Sequence, residues 1–186
     1  MAKIAIFASY NGSSLDPINK ACKDGSLNLE VSLIITNNSN ANVLNKAKEL
    51  NIPAFVVNDK LYEDVDSKLE QLLNEHGCEY IFLAGYMKKV SPILTRNYKM
   101  INSHPALLPK FGGKGMYGRF VHEAVVEAGE KVSGVTVHEV NENYDEGAII
   151  LQKSIELAPD ETAESLENKI KKLEQEAVVE ALISYV

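Results

Sequence analysis

The sequence predicts an α/β fold whose sheet is doubly wound and mostly parallel, with helices on both of its faces. Short apolar runs alternate with longer amphipathic segments through the first half of the chain, which is typical of βαβ units. The apolar runs are nearly continuous, as expected for parallel strands buried on both faces. A final amphipathic segment predicts a C-terminal helix that packs on the sheet.

Four strands and three helices are expected in the first half. The strands are predicted over Lys3–Ser9, Leu29–Thr36, Ala54–Val57 and Glu79–Ala84. The helices are predicted over Leu15–Lys23, Val43–Leu50 and Leu61–His76. Polar residues precede the second helix in the run NNSNAN, which is expected to cap it.

The second half begins with a short segment around Ser91–Tyr98 and is irregular near its middle. Later elements are expected to be a strand over Lys99–Asn102, a helix over Arg119–Ala128, strands over Gly134–Val140 and Ala148–Ile155, and a helix with apolar residues at Leu166, Ile170, Leu173, Ala177 and Val178. A loop rich in glycine and proline follows Asn102. No linker, repeat or low-complexity tract interrupts the sequence, which predicts a single domain over residues 1–186.

Composition excludes several classes of function. The 186 residues carry 19 Lys and Arg against 26 Asp and Glu, a formal charge of −7, so a nucleic-acid partner is not expected. Neither Cys22 nor Cys78 has zinc-ligand spacing, which predicts two reduced thiols and no metal. The sequence lacks a membrane-spanning run and a signal peptide. A cytoplasmic location is therefore expected.

Three polar loops fall where ligands bind in such sheets, beyond the carboxyl ends of the strands. The first contains Gly12, Ser13 and Ser14, whose backbone N–H groups at a helix start would suit an anion. A simple helix cap is the alternative interpretation. This loop lacks the lysine of a Walker motif and the third glycine of a dinucleotide fingerprint, which disfavours nucleoside triphosphates and NAD.

The second and third loops contain the remaining candidates for chemistry. Asn102 and His104 follow a predicted strand, and the prolines Pro105 and Pro109 indicate that these side chains are held rigidly. Asp145 lies in the turn NENYDEG. A carboxylate that reached His104 would raise the imidazole pKa and fix the ring, although turn formation alone also explains an Asp there. No GxSxG or HExxH motif is present, so serine hydrolysis is disfavoured.

Several segments follow one another in a characteristic order. They are Gly12–Ser14, LAGYM at Leu83–Met87, INSHPALLPKF at Ile101–Phe111, GVTVHEV at Gly134–Val140 and YDEGAIILQ at Tyr144–Gln152. Together these segments resemble the phosphoribosylglycinamide formyltransferase family. The resemblance implies a Rossmann-like formyltransferase domain. It also implies transfer of the formyl group of 10-formyltetrahydrofolate to the amine of glycinamide ribonucleotide in de novo purine biosynthesis.

The resemblance also assigns roles to residues. It implies a catalytic trio of Asn102, His104 and Asp145; a phosphate-binding segment of Gly12, Ser13 and Ser14; a folate-binding set of Met87, Lys88, Lys89, Val90 and Val140; and a sugar contact from Glu174. The imidazolium of His104 and the amide of Asn102 would stabilise the oxyanion, and Asp145 would keep His104 charged. The implied partners are small molecules, with no nucleic acid, membrane or metal, in a monomer or homodimer.

Three residues depart from the usual pattern of the family. Ser14 replaces a common Asn, Lys88 a usual Arg, and Ser103 a common aliphatic residue. The segment Gly112–Phe120 is also longer than in many members. These differences are expected to affect affinity, since none of them replaces a member of the trio.

Other functions stay open from the sequence. Another folate-dependent formyltransferase or a formyltetrahydrofolate hydrolase would share the same core but use a different acceptor. A non-catalytic flavodoxin-like binding domain would share only the fold. Against that last reading, all three polar loops contain chemically competent residues together.

Overall fold

The computed structural model describes residues 1–186 as seven strands and six helices. The strands are β1 Ala2–Phe7, β2 Leu29–Thr36, β3 Ala54–Val56, β4 Tyr80–Leu83, β5 Lys99–His104, β6 Val132–Glu139 and β7 Ile149–Glu156. The helices are α1 Leu15–Asp24, α2 Val43–Leu50, α3 Val65–Glu75, α4 Pro92–Asn97, α5 Arg119–Glu127 and α6 Ala163–Tyr185. None of the helices is both long and apolar enough to cross a membrane.

The seven strands form one sheet in the order β3-β2-β1-β4-β5-β6-β7. Strand β1 pairs in parallel with β2 and β4, and β2 pairs in parallel with β3. Parallel neighbours need a crossover connection, and helices supply it between the first strands. Strands β6 and β7 pair antiparallel. The predicted mostly parallel α/β sheet with a C-terminal helix is confirmed.

The first of two compact units comprises residues 1–101 together with Val186. Its central strands are buried along consecutive residues, including Ile4 to Phe7 in β1 and every residue of β4. Because successive side chains of a strand point to opposite faces, burial of consecutive residues means that both faces are covered. The loops at the ends of these strands are thereby held on a rigid frame.

The second unit comprises residues 102–185. Helix α6 packs against α5, β6 and β7, and it buries Leu166, Ile170, Ala177 and Val178 of the predicted apolar stripe. The strands β6 and β7 form an antiparallel pair, and residues 140–148 connect them. The single-domain expectation stays a prediction.

Most predicted strand bounds differ from the observed ones by one or two residues, and two helix starts differ from expectation for a physical reason. Helix α3 begins at Val65 rather than Leu61, because the Asp64 carboxylate accepts the Ser67 N–H at 3.0 Å and caps the helix there. The side chain of Asn42, which precedes helix α2, does not cap it, because Asn42 Oδ1 accepts the Asn45 side-chain amide at 3.1 Å instead.

Candidate active site

Strand β5 is longer than its apolar pattern indicated, and it carries the first two members of the predicted trio. The strand continues to His104, so Asn102 and His104 are strand residues rather than loop residues. With one residue between them, both side chains point to the same face of β5. Asn102 is half-buried and its side chain makes no hydrogen bond to the rest of the chain, which leaves the side-chain amide available as a donor.

The imidazole of His104 is buried, with 4% of the residue exposed. Its Nε2 lies 2.7 Å from the Phe111 carbonyl oxygen. A carbonyl only accepts hydrogen bonds, so Nε2 carries the proton and donates. The opposite nitrogen, Nδ1, therefore has a lone pair when the ring is neutral.

Asp145 lies next to this lone pair. Its Oδ2 is 3.7 Å from His104 Nδ1, and the same oxygen accepts the Gly113 N–H at 2.9 Å. The proximity of Asp145 to His104, which sequence spacing could only suggest, is confirmed. At 3.7 Å the two groups interact electrostatically rather than through a hydrogen bond.

Strained backbone surrounds the pair. Only three residues other than glycine have positive φ, and two of them are Phe111 and Asp145, both at 56°. Such conformations cost free energy and concentrate where side-chain placement matters for function. Gly112 also lies here, where an added Cβ would meet Leu108 Cδ2 and would come within 3.3 Å of Asp145 Cβ. This backbone conformation places the Phe111 carbonyl at Nε2 of His104 and the Asp145 carboxylate near Nδ1.

The protonation states follow from burial and from the neighbouring charges. Burial lowers the pKa of His104; Asp145 and the Phe111 carbonyl oppose this, while His138 adds to it. Asp145 thus raises the imidazole pKa as expected, but burial outweighs its effect and the pKa of His104 lies below its usual range, which favours the neutral ring. Burial opposes ionisation of Asp145, yet His138, His104 and the Gly113 N–H together hold its pKa below the usual range.

His138 is a site residue that sequence analysis did not find. Its Nε2 lies 3.6 Å from Asp145 Oδ1, so the carboxylate sits between two imidazoles. The sequence placed His138 within a strand among apolar residues, where a structural role is the usual explanation. The sequence did contain one signal for this role, because His138 lies just before the connection that contains Asp145. The chain reverses direction in that connection, so Asp145 can lie beside the end of β6.

Ser103 and Glu174 form a second polar pair in this unit. The Ser103 hydroxyl donates to Glu174 Oε1 on α6. Since neighbouring strand residues point to opposite faces, this pair lies on the other face of β5 from His104. Burial raises the pKa of Glu174, while Ser103 and Lys171 oppose that change. The serine that departs from the family pattern therefore bonds to the predicted sugar contact.

The first unit contains the predicted anion loop. Gly12 has φ 57°, and the loop turns there into α1, whose first residue follows Ser14. Ser13 is exposed and Ser14 is buried, and neither hydroxyl caps the helix. The Leu15 N–H donates to the Gly12 carbonyl at 2.9 Å, but no side chain caps the helix start, and the Ser13 hydroxyl is exposed there. An anion site at a helix start needs such uncapped N–H groups.

We predict that Gly12→Ala destabilises the protein and weakens binding of a phosphorylated substrate. A left-handed conformation costs about 1–2 kcal/mol for a residue other than glycine. The new Cβ would also lie 2.9 Å from Val43 Cγ2 and 3.1 Å from Ala8 Cβ, which would displace the loop. Thermal unfolding and the KM for the phosphorylated substrate test this expectation.

Gly25→Ala is the matched control for that prediction. Gly25 also has positive φ, at 84°, but an added Cβ there meets nothing within 4 Å. This variant should therefore lose stability through backbone strain alone and keep the wild-type KM. Equal KM values for Gly12→Ala and the wild-type protein would contradict a phosphate-binding role for the loop.

The segment predicted to bind folate is anchored at one residue of the first unit. Ser9 Oγ accepts the Met87 N–H at 2.8 Å and donates to Asn37 Oδ1 at 2.6 Å. Lys88 and Lys89 are exposed and Val90 is half-buried between β4 and α4. Val140 is half-buried just after β6 in the second unit. No cluster of three or more His, Cys, Asp or Glu side chains could hold a metal ion.

Comparison with known sequences gives matches along almost the whole chain. A family model described as formyl transferase matches residues 2–182. The phosphoribosylglycinamide formyltransferase of Bacillus subtilis is 38% identical over 179 residues, which cover 94% of this chain and 89% of that protein. The chloroplastic enzyme of that name from Arabidopsis thaliana is also 38% identical, over 97% of this chain. The chain spans only 64% of that plant protein and 59% of its Vigna unguiculata counterpart.

Solved structures give the same result. Glycinamide ribonucleotide transformylase 1 from Symbiobacterium toebii superposes with a TM-score of 0.91 at 29% identity, covering 100% of this chain and 87% of that one. Phosphoribosylglycinamide formyltransferase from Bacillus halodurans has a TM-score of 0.89 at 34% identity, with 98% and 94% covered. The likeness therefore extends through both units.

Proposed function

The chain belongs to the formyl transferase family, and from this premise we propose that it transfers a formyl group from 10-formyltetrahydrofolate to the amine of glycinamide ribonucleotide. The observation that carries the proposal is the pairing of the buried His104, at the end of β5, with Asp145 in the connection between β6 and β7. Asn102, with its unpaired amide, lies on the same face of that strand. The names of the relatives support the acceptor and the place in purine biosynthesis.

The chemistry begins with a neutral amine. Its lone pair attacks the formyl carbon, a carbon–nitrogen bond forms, and negative charge develops on the formyl oxygen. The Asn102 amide is proposed to donate to that oxygen. Because burial keeps His104 neutral, its Nδ1 can accept the proton that the attacking nitrogen must lose.

Asp145 stabilises the imidazolium that this proton transfer creates. Its carboxylate faces Nδ1, while the Phe111 carbonyl holds the opposite nitrogen and fixes the ring. The imidazolium then returns the proton to the leaving folate nitrogen as the bond from that nitrogen to the formyl carbon breaks. The products are the formamide and tetrahydrofolate, and the protein regains its starting protonation state.

Substrate binding is proposed to use the sites that the family resemblance implies. Gly12, Ser13 and Ser14 would bind the phosphate through backbone N–H groups and a hydroxyl. Glu174 would accept hydrogen bonds from the sugar hydroxyls. The folate would contact Met87 to Val90 and Val140. The cytoplasmic location, the small-molecule partners and a monomeric or homodimeric state stay predictions.

A spectrophotometric assay tests the proposal directly. The protein is mixed with 10-formyltetrahydrofolate, with and without glycinamide ribonucleotide, and the release of tetrahydrofolate is followed. Release that requires the ribonucleotide is expected. Release without it would indicate a hydrolase, and no release in either mixture would contradict formyl transfer to this acceptor.

A further inference from the structure

Ser103 is a residue of β5 that has no part in the reaction described so far. It lies between Asn102 and His104, and its side chain points to the opposite face of the strand from theirs. On that face its hydroxyl donates to Glu174 Oε1 on α6, 71 positions further along the chain. The end of β5 therefore presents the proposed catalytic side chains on one face and a hydroxyl–carboxylate pair on the other.

The Glu174 carboxylate has unused capacity for hydrogen bonds. An ionised carboxylate offers about four lone-pair sites, and the chain fills one of them, with the Ser103 hydroxyl. Lys171, one turn earlier on α6, acts on Glu174 only through its charge, and its Nζ lies 2.9 Å from Glu167 Oε1 instead. A half-buried carboxylate with a single donor can accept further hydrogen bonds from the hydroxyl groups of a ligand.

The Ser103 hydroxyl restricts the orientation of this carboxylate. Because Ser103 holds Oε1, the other oxygen, Oε2, keeps a defined position and has no partner from the chain. A side chain that is ordered before its ligand arrives loses less conformational entropy on binding. The hydroxyl also favours the ionised carboxylate, since burial raises the pKa of Glu174 and the hydrogen bond from Ser103 opposes that change.

We propose that Ser103 is a positioning residue for substrate binding, whose hydroxyl orients the Glu174 carboxylate so that its free oxygen accepts a hydrogen bond from a sugar hydroxyl of the ribonucleotide. This inference rests on the proposed function, in which Glu174 contacts that sugar. Ser103 acts through Glu174 and makes no contact with the sugar itself. Because Ser103 lies between Asn102 and His104, one strand end positions both the sugar contact and the groups that act on the amine.

Calorimetric binding of glycinamide ribonucleotide to the full-length chain, without folate, tests this inference. Ser103→Ala removes the hydroxyl and should raise the Kd about 10-fold, the scale of one hydrogen bond to a charged group. Ser103→Thr keeps the hydroxyl and should bind as tightly as the wild-type protein. A wild-type Kd for Ser103→Ala would overturn the proposal.

Ser133→Ala is the matched control. Ser133 is a buried serine on β6, in the same unit as Ser103, and its hydroxyl has no hydrogen-bond partner. Its replacement should leave the Kd of the ribonucleotide unchanged. If Ser103→Ala does not fold, as judged by thermal unfolding, Ser103→Val is compared with Ser103→Thr under the same criterion, because these two side chains have similar shapes and differ in the hydroxyl.

A double-mutant cycle shows whether Ser103 acts through Glu174. Glu174→Gln should weaken binding of the ribonucleotide at least as much as Ser103→Ala does. The protein with both substitutions should bind no more weakly than Glu174→Gln alone, because the two residues form one interacting pair. Additive losses would show that Ser103 acts independently of Glu174 and would contradict the proposal.

An analogue of the ribonucleotide that lacks both sugar hydroxyls identifies the part of the ligand involved. The wild-type protein and Ser103→Ala should bind this analogue equally, because neither complex contains the hydrogen bond to the sugar. A Kd that still rises in Ser103→Ala would assign the effect to another part of the ligand and overturn the inference. A merely structural role for Ser103 would weaken binding of both ligands alike.

Kinetics separate this inference from the proposed function. In the active protein, Ser103→Ala should raise the KM for the ribonucleotide and leave the KM for 10-formyltetrahydrofolate unchanged. If the wild-type protein binds the ribonucleotide but does not transfer formyl groups, the calorimetric comparison still decides the role of Ser103. If the protein is active and Ser103→Ala keeps both wild-type KM values, the function stands and the inference fails.

Discussion

Replacing His104 by alanine is expected to lower kcat for formyl transfer by about 100- to 10,000-fold, the usual contribution of a general acid–base group. The variant lacks the only group proposed to accept the proton of the amine. Water cannot replace it well, because His104 is 4% exposed and is held by the Phe111 carbonyl at 2.7 Å. Steady-state rates with both substrates, measured across pH, test this expectation.

The loss should appear in kcat rather than in binding. The proposed phosphate loop and the segment from Met87 to Val90 belong to the first unit, whereas His104 belongs to the second. The KM values are therefore expected to change little. Circular dichroism should show a folded protein, since Phe111, whose carbonyl loses its donor, is only half-buried.

His76→Ala is the control for this variant. It removes an imidazole of the first unit whose Nδ1 donates to the Leu72 carbonyl at 2.8 Å and whose ring packs edge-on against Phe55. Its activity should equal that of the wild-type protein. Wild-type turnover by His104→Ala would overturn the mechanism.

The second large effect is expected for Asp145→Asn, which should lower kcat by about 100-fold or more. The substitution removes the negative charge that stabilises the imidazolium and keeps nearly the same shape. Asn also tolerates the left-handed conformation that Asp145 adopts at φ 56°, and its amide oxygen can still accept the Gly113 N–H. The fold should therefore be retained.

The direction of the pKa change provides an independent check. The Asp145 carboxylate raises the pKa of His104 against the effect of burial, so Asp145→Asn should make His104 titrate at lower pH than in the wild-type protein. A variant with full activity, or with His104 titrating at higher pH, would contradict the role of Asp145.

The local pattern of apolar residues was sufficient to predict most of the helices and strands. The bounds of β2 and α2 agree with the sequence residue for residue, since eight-residue elements with continuous apolar or helical spacing have few alternatives. Helix α3 starts later than its apolar periodicity indicated, because the Asp64 carboxylate accepts the Ser67 N–H and so caps the helix at that point. Strand β5 extends through polar residues, because strand pairing uses backbone groups and tolerates Asn102 and Ser103.

The sequence by itself determined the fold class, the family and the identity of Asn102, His104 and Asp145 as candidates, because periodicity and motif order are local properties of the chain. Only the tertiary structure decided how these residues act. It placed the Asp145 carboxylate, in the connection between β6 and β7, between His104 of β5 and His138 of β6. It also made burial outweigh the carboxylate in the pKa of His104. Distances between residues remote in sequence, and the removal of water from them, arise only when the chain folds.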